Sequence, residues 1–201
     1  MKNSIDTYKD RLEDWQRHLA DLRDLTYEGQ VEREDREQVF RSAVELVSPV
    51  VQGILQEFNE TMLDGTGTIE WRPVMSDGDD GLVSMWILSW PQQQTAQRRT
   101  GGVLAKDDEP TQPPVLPETD PLGIDPIIIR AFMPKQGIVG WLHGHISGGY
   151  TSPNSMWPLN VTTPADAERQ SIVLWMIAEG EFHRCTYELA RSAITLLPSC
   201  D

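Results

Sequence analysis

Residues 82–90, LVSMWILSW, are apolar at almost every position. The length and the β-branched and aromatic content predict a strand. On a strand, Leu82, Trp86, Leu88 and Trp90 line one face, and Val83, Met85 and Ile87 line the other. A sheet with one wet face alternates apolar and polar residues, so this strand requires cover on both sides. TIEWRPVM precedes it across the turn cluster SDGDDG, which predicts a hairpin. That acidic turn is too short for an EF-hand loop and lacks its terminal Glu.

PIIIRAFMP and GIVGWLHGHI predict two further strands, with Ile127 and Ile129 opposed to Ile128 and Phe132. No helical segment separates the paired strands, so no βαβ unit is expected. The predicted fold is α+β: an antiparallel sheet of about four strands, near 68–75, 82–90, 127–133 and 138–146, with N-terminal helices and a long C-terminal helix. The expected organisation is a single domain over 1–201, with 1–28 as an amphipathic helix or arm. A flexible Pro-rich loop at 92–123 interrupts it, with prolines at 110, 113, 114, 117 and 121.

In the first segment, Ile5, Tyr8, Leu12, Trp15, Leu19 and Leu22 alternate steps of three and four, the a/d spacing of a coiled-coil seam. His18 stands among Arg17, Asp21 and Arg23 and reads as a surface histidine. A second helix begins near Val31, with the pairs Glu32–Arg36 and Glu37–Arg41 at i,i+4. Ser48-Pro49 predicts a kink or a new helix start. Thr163-Pro164 with Asp166 predicts a capping box opening the last helix, which carries Gly180.

Acidic residues number 31 against 17 basic, for a net charge of −14. That balance repels phosphate backbones and anionic lipid, so neither nucleic acid nor a membrane is an expected partner. The N-terminal stretch has no apolar h-region, and no apolar run reaches the roughly 18 residues of a membrane span. Two cysteines without a CxxC suggest a reducing, cytoplasmic setting, with Cys185 as a small core residue.

One stretch suggests chemistry. His143 and His145 lie on one face of a strand, about 7 Å apart at Cα. Glu179 and His183, at i,i+4, share a helix face. Together they would form a three-His, one-Glu site suited to Zn or Fe. Gly137-x5-His143-x-His145 also resembles the opening of the first cupin motif over nine residues. The glutamate of that motif is missing, with Gly149 and Tyr150 standing where it would fall. HISGG has neither the first glycine of a nucleophile elbow nor the lysine of a P-loop.

The leading expectation is a non-enzymatic interaction or accessory protein without a cofactor, binding a protein partner or itself as a homodimer or other homo-oligomer. The candidate contact residues are Trp15 and Leu19 on the helix seam, Trp86 and Trp90 on the sheet, and Tyr150 and Trp157 near the long polar loop. Small acidic α+β bacterial secretion chaperones are similar in these respects, and a structural assembly subunit fits the same features. The alternative is a metal-dependent enzyme built on His143 and His145.

Overall fold

The computed structural model describes residues 4–76, 81–94, 125–144 and 156–192, with backbone alone at 4–11 and 186–192. The elements are α1 (Ser4–Asp24), α2 (Arg33–Met62), β1 (Thr68–Ser76), β2 (Leu82–Ser89), β3 (Ile127–Met133), β4 (Trp141–His143), β5 (Met156–Pro158), α3 (Pro164–Arg169) and α4 (Ser171–Ser192). The five strands form one antiparallel sheet in chain order. The fold is therefore α+β as expected, with one strand more than the four anticipated. The added strand, β5, is three residues of what reads from sequence as loop, too short for any alternation to show. The turn at 77–80 and residues 95–124, most of the Pro-rich loop, lie outside the described residues.

The core follows from the two-sided strand. Trp86 pairs with Ile129, Leu88 with Ile127 and Ser84 with Ala131, so these residues share one face of the sheet. Against that face α2 sets Phe40, Val44, Val47, Val51 and Leu55, and α4 sets Leu174, Ile177 and Ala178. Each such side chain contributes about 1.5–3 kcal/mol on leaving water. The other face carries a smaller cluster of Met85, Ile87 and Ile128, also buried. Both faces are thus removed from solvent at the centre of the sheet, as the sequence of β2 demands. In β1 the register shifts between Arg72 and Met75, where Pro73 cannot donate to the ladder.

Three helical details differ from expectation. Of the kink or new start expected at Ser48-Pro49, the new start does not occur: α2 runs through Pro49. The adjacent Ser48 is buried, and its hydroxyl accepts from the Trp86 indole N–H at 3.0 Å and from Gln52 at 2.9 Å. The ion pair that forms near the start of α2 is Arg33–Glu37 at 2.6 Å. The same Arg33 donates to the carbonyls of Pro134, Lys135 and Gly137, pinning the loop between β3 and β4. The last helix is broken into α3 and α4 at Gln170, whose amide turns to the carbonyl of Ala167 at 3.1 Å. The capping box itself forms as the sequence predicts. Gly180 faces open space, so close packing is not the reason for it.

The chain leaves α1 through a turn that fixes its position. Leu25, Glu28 and Gly29 all have positive φ. Tyr27 is fully buried there and donates its hydroxyl to the carbonyl of Leu159 at 2.5 Å. A Cβ on Gly140 would lie 2.8 Å from that hydroxyl and 2.7 Å from the Phe40 ring, so this close approach needs glycine. Burial, reinforced by the carboxylates of Glu28 and Asp21, pushes the Tyr27 phenol far above its ordinary range.

Candidate interaction site: the polar seat and exposed seam of α1

An amphipathic helix normally buries its apolar face. Helix α1 does the reverse. Asp14, His18 and Asp21, one stripe at steps of four and three, are buried against the rest of the chain. Leu12 and Leu19 remain 50% and 58% exposed, and Leu22 is exposed beside them. Leu25, at 60%, extends the apolar line past the helix end in a backbone conformation usually left to glycine or asparagine.

A polar network seats the helix. Asp21 accepts from the Thr26 hydroxyl at 2.7 Å, from the Glu28 backbone N–H at 3.0 Å and from the Asn160 amide at 3.3 Å. Asn160 also donates to Glu28 at 2.8 Å. Arg17 reaches Glu28 at 2.8 Å and Asp166 at 3.5 Å. Arg169 pairs with Asp166 as well, and Gln170 donates to Asp14 at 3.5 Å. Burial works against the charge of Arg17, but Glu28, Asp166 and Asp14 outweigh it and hold its pKa above the ordinary value. Burial likewise disfavours the Asp166 carboxylate. The N–H groups of Thr162 and Thr163 and the Thr162 hydroxyl, donating at 2.9–3.0 Å, together with the Thr163 side chain, more than offset this and hold its pKa low.

Aromatic rings close the seat. Trp15 is half-buried, 6.4 Å from Trp157 of β5 and 5.6 Å from His18 by ring centroids. His18 stands edge-on to Trp141 of β4 at 4.6 Å. Beside them Asp14, Trp15, Trp157, Pro158, Gln170 and Val173 line a shallow recess open to solvent. It has room for little more than a water molecule, far short of a small-molecule site.

The expected contact residues therefore separate. Leu19 is on the surface, and Trp15 and Trp157 meet each other across α1 and β5. Trp86 and Trp90 are corrected: both are core residues, since β2 turns its even-numbered side under α2, and neither presents a surface. Tyr150 lies outside the described residues. His18, expected on the surface, is 1% exposed. The sequence did carry a signal for it, because Asp14, His18 and Asp21 form a polar stripe at helical spacing beside the leucine stripe.

Of the four metal-ligand candidates, the three described ones, His143, Glu179 and His183, are not brought together. His143 pairs with Arg130 and so faces away from Leu142, which shares the core with α4. Its Nδ1 lies 2.7 Å from the Gly144 carbonyl. Glu179 and His183 sit on the exposed side of α4, opposite the side that packs on the sheet. His145 lies outside the described residues. Among the described residues no group of three or more His, Cys, Asp or Glu is arranged to hold a metal. Cys185 is buried as expected, its Sγ 3.3 Å from the Asp125 carbonyl, and burial pushes its thiol up to about 11.

Comparison with protein-family models, curated proteins and solved structures finds no match. Among the described residues no helix is long and apolar enough to cross a membrane.

Proposed function

We propose that this chain is a non-enzymatic interaction protein, an acidic cytoplasmic accessory or assembly subunit, which binds a protein partner or a second copy of itself through the leucine face of α1. One observation carries the reading: α1 seats itself through Asp14, His18 and Asp21 and turns Leu12, Leu19 and Leu22 outward. Leucines at a/d spacing on an outward face fit an opposing helix, which would bury them knob into hole. The net charge of −14 argues against nucleic acid and anionic lipid as the occupant. The sheet tryptophans take no part, being core.

Sedimentation velocity over a hundredfold range of concentration, together with capture of binding proteins, tests the reading. The wild-type chain is expected to associate or to retain a partner, and Leu19→Glu to lose that contact with its folded spectrum intact. A chain that stays monomeric and captures nothing that Leu19→Glu fails to capture would sink the proposal.

A further inference from the structure

His18 is unlike every other member of the α1 seat. Its neighbours are bonded to one another, whereas both of its ring nitrogens are buried without a hydrogen-bond partner among the described residues. The walls around it are the indoles of Trp15 and Trp141, at 5.6 and 4.6 Å. An imidazole can stay in such a place only as the neutral ring, since a buried charge without a bonded partner is far costlier than a buried neutral group. We propose that protonation of His18 unseats α1 from the sheet, making the docking of this helix a pH-gated state.

The surrounding charges support this. From its own helix, Asp21 lies one turn on and favours the proton, but its carboxylate is already occupied by Thr26, Glu28 and Asn160. Asp14 and Arg17 face the segments beyond it, Glu28 in the turn and Asp166 and Arg169 on α3. From β4 the nearest titratable group is His143, two residues from Trp141 on the same face of the strand. β5 brings no titratable group. Burial outweighs the pull of Asp21 and lowers the His18 pKa. The sign follows from linkage: the undocked helix, with an ordinary histidine, binds more protons than the docked one. Docking is therefore fully present above the ordinary histidine pKa of about 6.5 and weakens as pH falls below it. Histidine is the side chain that ordinarily titrates between pH 7.5 and 5.5, and comparison with a His18 variant separates His18 from His143, His145 and His183.

The inference concerns how α1 is held and stands apart from what its leucines contact. Hydrogen exchange on the full chain, corrected for the intrinsic pH dependence of exchange, reads it directly. The opening of residues 12–22 is expected to rise by up to about tenfold between pH 7.5 and 5.5 for an undocked pKa of about 6.5, while α2 stays unchanged. His18→Phe, which keeps an aromatic ring in the cage, is expected to abolish that rise. A flat wild-type profile, or the same rise in His18→Phe, overturns the proposal. If His18→Phe leaves α1 open at every pH, the wild-type ring resonance decides. A midpoint well below the ordinary value sustains the gate. A midpoint at or above it means that the indole faces stabilise the imidazolium, and the gate is refuted.

Discussion

Helices α1 and α2 have the same kind of sequence pattern and opposite relations to the core. In α2 the stripe of Phe40, Val44, Val47, Val51 and Leu55 is the face that packs. In α1 the stripe of Leu12, Leu19 and Leu22 is the face that does not. Helix α2 is held by apolar burial, and α1 is seated on carboxylates, guanidinia and one unbonded imidazole. Periodicity identifies an apolar face but does not say what covers it. A polar seat also makes a weaker and more condition-dependent joint, because ion pairs and hydrogen bonds exchange with water at little net gain whereas apolar burial does not.

The largest expected effect tests the α2 half of this contrast. Leu55→Ala leaves a cavity beneath the sheet and is expected to cost about 2–5 kcal/mol in urea unfolding, in one cooperative step. A cost below about 1 kcal/mol would mean that α2 is not the foundation described.

Removing Asp21 tests the other half. Asp21→Ala leaves the Thr26 hydroxyl and the Glu28 N–H without their acceptor, removes one of the two acceptors of the Asn160 amide, and is expected to cost about 1–3 kcal/mol. The loss should be local. Hydrogen exchange is expected to quicken across α1 and the turn at 25–30 and to leave α2 protected. Uniform acceleration through both helices would show that α1 is part of the core after all.

These two regions also mark how far the sequence could be read. The sheet was legible because LVSMWILSW and IIIRAFM combine β-branched content with turn signals, and their two-sided apolarity required the double burial that Trp86 and Met85 show. The capping box was legible because Thr163, Pro164 and Asp166 act locally. β5 was not, since a three-residue strand exists only by pairing with β4. The site was half legible. Leu19 was found by its spacing, but the seat depends on Asn160 and Asp166, 139 and 145 residues along the chain from Asp21, and no local pattern announces such a meeting. The same non-locality hid where the described metal candidates fall, because the strand of His143 does not reveal that Glu179 and His183 lie on the side of α4 turned away from the sheet.

A smaller effect is expected at the far wall of the seat. Thr163→Ala removes the cap of α3 and is expected to cost about 1 kcal/mol. It also takes away one of the groups that hold the Asp166 pKa low. Because that pKa is lower in the folded chain, the unfolded chain takes up the proton first. The contribution of Asp166 is therefore present above the ordinary aspartate range near about 3.9 and is lost as pH falls through its folded value. Unfolding midpoints between pH 5 and 2 should show a shallower acid decline in Thr163→Ala. An unchanged decline would place the acid sensitivity elsewhere.

The smallest effect on stability is the one that bears most on function. Leu19 is 58% exposed, so Leu19→Glu removes little packing in the isolated chain. The substitution is expected to change stability by no more than about 0.5 kcal/mol, as other exposed positions do. A core leucine stripe would respond by several times that amount, and the outcome separates the two helices more sharply than any larger loss. If Leu19→Glu destabilises the monomer as Leu55→Ala does, the leucines of α1 are covered within the chain and the contrast between the helices fails. If stability holds while association or partner capture is lost, the outward face is a contact surface, and its apolar residues are kept for something outside the chain.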